Sequence, residues 1–274
     1  MKLQDKFTQL KEKGQGILAT NFYNFETLEG ILQAAKRTNQ PIILQLTKNS
    51  IEYMGLNVAF DLAKAMLHKH GVEGWIHLDH ADSYELVAKC LDAGFDSVMI
   101  DASEQAFRDN IAITKKVVQL AESYGANVEA ELGYIAKLDQ PNHKNGFTRP
   151  KQAKQFVEAT GVDALAVAIG TAHGFYKEEP KLDLERLSEI SDETEVCLVL
   201  HGGSGIPDQC LKKAIDQGIC KINLATEIKN VFMRTLKSVM QNNDQIDLRQ
   251  VFPAATDQIS QLVQNKLEIV QNNK

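Results

Sequence analysis

Eight short apolar runs recur along this chain, each followed by a stretch with helical period. That alternation limits the fold more than any other feature. The runs are Gly16–Asn21, Pro41–Thr47, Trp75–His80, Ser97–Asp101, Asn127–Gly133, Ala164–Gly170, Val196–His201 and Ile219–Asn223. They are mostly continuous rather than alternating, as parallel strands buried on both faces must be. Between them, Glu26–Arg37 sets Leu28, Ile31, Leu32 and Ala35 on one helical face. Asp82 or Ser83 caps a helix over Tyr84–Ala93, and Gly94 stops it. Pro207 and Asp208 open another over Gln209–Gln217, which Gly218 closes. Eight strand–helix units of roughly 30 residues each predict a (β/α)8 TIM barrel, formed as one domain over residues 1–274. An additional C-terminal helical segment is expected from Pro253 to Asn272. The alternative is an open doubly wound sheet, but no GxGxxG opens the first helix. Tyr134–Arg149 lacks periodicity and carries Pro141, Asn142, Asn145 and Gly146, which predicts a long loop after the fifth strand.

Composition narrows the function classes. The chain has 30 Lys+Arg against 36 Asp+Glu, a net charge of −6, which argues against a nucleic-acid partner. No apolar run of about 18 residues exists to span a membrane. The charged, amphipathic segment Met1–Lys13 lacks the apolar stretch of a signal peptide. Cys90, Cys197, Cys210 and Cys220 show no paired spacing and read as reduced packing residues of a cytoplasmic protein.

Barrel strands end at the catalytic face, and here their ends collect reactive side chains. Asn21 ends the first run and Thr47 the second; Asp79 and His80 end the third, and Asp101 the fourth. Glu129 and Glu131 lie in the fifth, His173 follows the sixth, and His201 ends the seventh. One such His is more often structural than functional, but three at the same end of different strands are hard to obtain by packing alone. Three imidazoles with an open position suit Zn2+ or a similar transition metal rather than Mg2+. His68 and His70 sit near a helix end, where they complement its dipole. His77 alternates out of the strand face that carries His80 or packs locally, and His143 falls in the long loop. A second cluster, His201-Gly202-Gly203-Ser204-Gly205 with Asn223-Leu224-Ala225-Thr226, has the Gly backbone and hydroxyls of an anion cradle. The loops after the last two barrel strands are the usual phosphate site of this architecture.

These motifs together resemble the class II, metal-dependent fructose-bisphosphate and tagatose-bisphosphate aldolases. The resemblance covers essentially the whole chain. It is strongest in HLDH (His77–His80), SVMIDAS (Ser97–Ser103), VEAELG (Val128–Gly133), GTAHGFYK (Gly170–Lys177), LHGGSGIP (Leu200–Pro207) and KINLATE (Lys221–Glu227). It implies that His80, His173 and His201 bind Zn2+ and that Asp79 is the catalytic acid/base beside the metal. It matches Asp101 and Glu131 to carboxylates of the metal neighbourhood, at an alternative or second cation position. Gly174, Lys177, Gly202, Ser204, Asn223 and Thr226 correspond to the positions that hold the phosphate of dihydroxyacetone phosphate. Asn21 and Thr47 lie near the substrate, and Arg249 resembles the Arg that binds the distal phosphate.

The chain departs from the family in the loop after the fifth strand. A Gly pair becomes Ala136-Lys137, and the Glu that exchanges the proton on the nucleophilic carbon becomes Asp139. The segment Glu104–Phe107 also lacks the family's usual His. The implied activity is Zn2+-dependent cleavage of a ketose bisphosphate, fructose or tagatose, to dihydroxyacetone phosphate and glyceraldehyde 3-phosphate. The alternatives are an aldolase for another aldehyde half, a deoxy-keto-acid phosphate or a sulfosugar, and a weakly active phosphosugar-binding homologue. A homodimer or homotetramer is expected.

Overall fold

The computed structural model describes residues 1–137, 146–176, 178–241 and 244–271. Eight parallel strands close into a barrel: β1 (Ile17–Asn21), β2 (Ile42–Thr47), β3 (Gly74–Ala81), β4 (Ser97–Ile100), β5 (Asn127–Leu132), β7 (Ala164–Val167), β9 (Cys197–Leu200) and β10 (Ile219–Leu224). Among the described residues two further strands, β6 (Ala136–Lys137) and β8 (Ala172–His173), pair in parallel outside the barrel wall. The barrel order is β1-β10-β9-β7-β5-β4-β3-β2, so every strand has two neighbours and the open-sheet alternative is excluded. The pair of β6 with β8 corrects the expectation of a plain loop. Ala136 and Lys137 borrow their ladder partners from Ala172 and His173, a pairing that local sequence does not reveal.

Helices form the outer ring, and their caps explain where they begin. Asn24 caps Phe25–Thr38 through a box in which its side chain accepts from the Thr27 N–H. Ser83 stands at the N-cap of Tyr84–Ala93 as expected, but its side chain makes no capping bond; Gly94 ends that helix at φ +99°. Pro207 precedes Asp208–Asp216. The expected C-terminal helix runs over Pro253–Val270 and lies against Phe25–Thr38. Gly30 lets the two helices approach, since a Cβ there would come within 2.9 Å of Ile259.

The helix Leu3–Lys13 closes the lower mouth of the barrel. Its Leu3, Phe7 and Leu10 pack with Ile17, Ile43, Trp75, Ala164 and Val199 in one buried cluster. Removing a ring such as Phe7 from this floor would cost about 3–5 kcal/mol. A second, larger apolar cluster fills the space between barrel and helices. All four cysteines are free thiols, and three of them are buried. No described helix is long and apolar enough to cross a membrane.

Candidate active site

Strand period 2 sends alternate residues into the barrel. Along β1 these are Ile17, Ala19 and Asn21; along β3 they are Trp75, His77 and Asp79. Apolar groups thus lie at the bottom, a polar layer lies above them, and reactive side chains lie at the top. The polar layer consists of Gln45, His77, Glu129 and Lys221, all buried. In β10 the register shifts between Ile219 and Lys221, which helps both Cys220 and Lys221 reach buried positions.

At the top, the rings of His80, His173 and His201 converge. Their centroids are 5.0 Å apart for His80–His173, 4.7 Å for His80–His201 and 5.7 Å for His173–His201. One ring nitrogen from each lies within 4.8 Å of the others, a spacing that can hold a cation. His80, Asp101 and Glu131 form a second group within the same limit. Existing hydrogen bonds select the free nitrogens. The Nδ1 of His80 bonds Asp101 Oδ2 at 2.8 Å, leaving Nε2. The Nε2 of His201 bonds Glu129 Oε1 at 2.9 Å, leaving Nδ1. That Nδ1 and Glu131 Oε2 are 3.3 Å apart, yet both are buried without a hydrogen bond. Orphaned buried lone pairs of this kind are what a bound cation would satisfy. Asp101 is itself held by the backbone N–H and hydroxyl of Ser103. The backbone of His80 sits at φ +53°, a strained position for a residue with a side chain and one that functional sites often contain.

The imidazoles differ electrostatically. Burial, then the charges of His80 and His201, pull His173 down to about 3. Burial also opposes charge on His201, but the carboxylates of Glu129 and Glu131 lift it to about 10. Burial would raise Asp79, yet His80, His201 and the Asn21 hydrogen bond outweigh it and keep it below the ordinary carboxylate range. Asp79 is fixed from two sides: Asn21 Nδ2 donates to Oδ2 at 2.9 Å, and Gln45 Nε2 to Oδ1 at 3.3 Å.

The opposite side of the site is built from glycines and a helix start. Gly202 stands at φ +67°, and a Cβ there would collide with the Ala172 carbonyl oxygen. Tyr176 ties the two segments together. Its hydroxyl accepts the Ala172 N–H at 2.8 Å and donates to the Gly202 carbonyl at 2.9 Å. Ser204 Oγ accepts the Glu227 N–H at the start of the helix Thr226–Met240, whose N-terminus favours anions.

A cavity of about 1000 Å³ unites these parts. It is lined by Asn21, Thr47, Asp79, His80, Asp101, Glu131, His173, Gly174, Gly202, Ser204, Asn223 and Thr226, all expected from the sequence. His201 lies directly beneath, fully buried. Arg249 is not brought there: its side chain is 89% exposed, and its guanidinium bonds Asp247 two residues away. Lys177, Asp139 and His143 lie outside the described residues. Sequence reasoning missed the structural roles of Gln45, Glu129, Lys221 and Tyr176. Two polar residues two positions apart in β5, and a Lys inside an otherwise apolar strand, were the available signals.

Comparison with known proteins bears on the fold and the family. The family model "Fructose-bisphosphate aldolase class-II" matches residues 1–274. The YdjI aldolase from Escherichia coli K12 is 33% identical, with a TM-score of 0.88 over 98% of this chain and 96% of that one. The fructose-bisphosphate aldolase of Campylobacter jejuni shares the fold, with a TM-score of 0.83 at 21% identity over 99% of this chain and 95% of the other.

Proposed function

Because the chain belongs to the class-II fructose-bisphosphate aldolase family, we propose that it is a Zn2+-dependent aldolase. In this reading it reversibly cleaves fructose or tagatose bisphosphate to dihydroxyacetone phosphate and glyceraldehyde 3-phosphate. One juxtaposition carries the proposal: three converging imidazoles beside the buried Asp79, in a cavity whose other wall is a Gly-rich anion cradle.

His80, His173 and His201 would hold the cation, leaving a position open for substrate. A divalent metal there supplies Lewis-acid polarisation of the ketose carbonyl. The chain's own residues do the rest. Gly174, Gly202, Ser204, Asn223 and Thr226 seat the phosphate next to that carbonyl, joined by Lys177. Asp79 accepts the proton of the hydroxyl on the far side of the scissile bond as that hydroxyl becomes the aldehyde. The electron pair of the broken carbon–carbon bond stays beside the carbonyl, and Asp139 returns a proton to that carbon. Asn21 and Gln45 aim the Asp79 carboxylate and favour its ionised form, as a base requires. Thr47 completes the wall on the aldehyde side.

A second reading keeps this chemistry but changes the aldehyde half to a deoxy-keto-acid phosphate or a sulfosugar. It is favoured at the rim, where Lys48, one of the cations lining the cavity, is paired with Asp82 at 2.7 Å and so offers less charge to a second phosphate dianion. Release of dihydroxyacetone phosphate, coupled to a dehydrogenase and run over a panel of ketose phosphates with and without chelator, tests both. Cleavage of a bisphosphate that chelator abolishes supports the first reading. Cleavage only of other ketose phosphates supports the second, and no turnover of any leaves a phosphosugar-binding homologue.

A further inference from the structure

His201 reaches the site from below, and its two ring nitrogens have different surroundings. Nδ1 faces Glu131 and the other imidazoles, whereas Nε2 faces Glu129 Oε1 at 2.9 Å inside the barrel. An ionised carboxylate only accepts hydrogen bonds, so Nε2 must carry the hydrogen. The other oxygen, Glu129 Oε2, is 2.6 Å from Lys221 Nζ, a group that only donates. Glu129, Lys221 and His201 are all fully or almost fully buried. The polarity of the row is therefore fixed at both ends: Lys221 donates to Glu129, and His201 donates to Glu129. His77 braces it from the side, with Nδ1 on Ser97 Oγ at 2.8 Å and Nε2 3.8 Å from Glu129 Oε2. Neither Glu129 nor Lys221 lines the cavity, so neither touches substrate.

We propose that Glu129 and Lys221 form a positioning pair that locks His201 into the tautomer and orientation presenting Nδ1 as a metal ligand. The inference rests on the metal-centre reading above. The pair explains why a Lys lies in the middle of a barrel strand with no substrate to meet. It neutralises the buried carboxylate and also dictates which carboxylate oxygen His201 may use.

The fixed polarity of the row can be reversed by substitution. In Glu129→Gln the side chain has one oxygen and one NH2. Lys221 demands the oxygen, so the NH2 turns toward His201 Nε2, which must then accept, and the ring hydrogen moves to the ligand nitrogen. Zn2+ affinity, read by competition with a chromophoric chelator, should fall about 10–100-fold, the usual range for the partner of a metal-binding His. Adding Lys221→Met to Glu129→Gln releases the amide oxygen to accept from His201, so the double variant should bind Zn2+ more tightly than the single one. A merely structural pair would make the double variant no tighter. Wild-type affinity in Glu129→Gln, or a double variant weaker than the single, overturns the positioning role. Circular dichroism of each metal-free variant checks folding. If the variants do not fold, 15N-histidine NMR of the Zn2+-loaded wild type decides. A proton on Nε2 of His201 with the metal on Nδ1 is expected, and the reverse overturns the proposal. Wild type that takes up no Zn2+ refutes the metal-centre reading itself, an outcome distinct from all of these.

Discussion

Asn21 and Asp79 stand on strands separated in the barrel by β2, yet Asn21 Nδ2 donates to Asp79 Oδ2 at 2.9 Å across the upper mouth. With Gln45 on the intervening strand, the bond fixes a carboxylate that is otherwise almost fully desolvated. The Asp79 backbone is held by its neighbour on β2, where Thr47 is its register partner. Replacing Asp79 therefore removes a proton acceptor without moving the imidazoles. Asp79→Ala should keep Zn2+ and dihydroxyacetone phosphate binding and lose carbon–carbon cleavage by about 10²–10⁴-fold. Parallel loss of metal content and activity would instead make Asp79 a ligand.

Protons and metal compete for the same lone pairs at this site. Without metal, the flanking carboxylates lift His201 to about 10, so it carries a proton at neutral pH that the cation must displace. His173, held down to about 3, is already neutral. Lowering the pH favours the protonated site, so Zn2+ affinity should fall about tenfold per pH unit for one proton released. Chelator competition at two pH values a unit apart, with calorimetry in buffers of different ionisation enthalpy, measures this. Affinity that does not change with pH would mean His201 is not a ligand.

The barrel and the residues at its upper rim were legible in the sequence because both depend on local pattern. A buried parallel strand is an apolar run, and the polar residue ending it marks the mouth, as Asp79, Asp101 and His201 do. The polar layer beneath was not legible. Glu129 meets Lys221 over a separation of 92 residues and His201 over 72, and nothing local selects those partners. The outward-facing Ile, Leu and Val of the same strands hide the inward alternation, and the register shift before Lys221 breaks the parity in β10. The β6–β8 pair escaped for the same reason, since its two-residue strands find each other only across the folded mouth.

Tyr176 clamps the segment after the sixth barrel strand to the Gly202 loop through both bonds of its hydroxyl. Burial holds that hydroxyl's pKa at about 12, so it remains a donor through the working range. Tyr176→Phe removes both bonds and leaves the Ala172 N–H without its partner, a cost of about 1–3 kcal/mol concentrated on the anion cradle. KM for phosphosugar should rise by a larger factor than Zn2+ affinity falls, although the bonded backbone also flanks His173 and His201. An unchanged KM would place the phosphate elsewhere.

Glu29 links the helix Phe25–Thr38 to the end of Leu56–His70. It accepts from Gln33 at 3.0 Å, Lys69 at 3.0 Å and His70 at 3.1 Å. Burial would raise its pKa from the ordinary 4.5, but these donors outweigh burial and hold it at about 2. Because the folded value lies below the unfolded one, the contribution is complete above about pH 4.5 and is lost as the pH falls toward about 2. Urea midpoints of wild type and Glu29→Gln should therefore differ at neutral pH and converge on acidification. A difference that does not vary with pH would show that the charge is not what stabilises this contact.

Arg249 lies outside its own cavity, on a short surface helix with its guanidinium free to exchange Asp247 for another anion. The bidentate geometry it makes with that carboxylate is the one it would make with a phosphate. An Arg so placed can serve a bisphosphate by folding back over its own cavity or by reaching the cavity of a neighbouring subunit. Arg249→Ala should then raise KM for the bisphosphate while leaving inhibition by dihydroxyacetone phosphate unchanged. Subunit mixing gives the sharper test. Asp79→Ala chains keep Arg249, and Arg249→Ala chains keep Asp79, so a mixed oligomer regains sites with both residues only if they come from different chains. Recovery of low-KM turnover on mixing, absent from either variant alone, is the expected result. If mixing restores nothing, Arg249 does not serve a neighbouring site; if Arg249→Ala has wild-type KM, Arg249 is a surface residue and the distal half of the substrate is held by other groups.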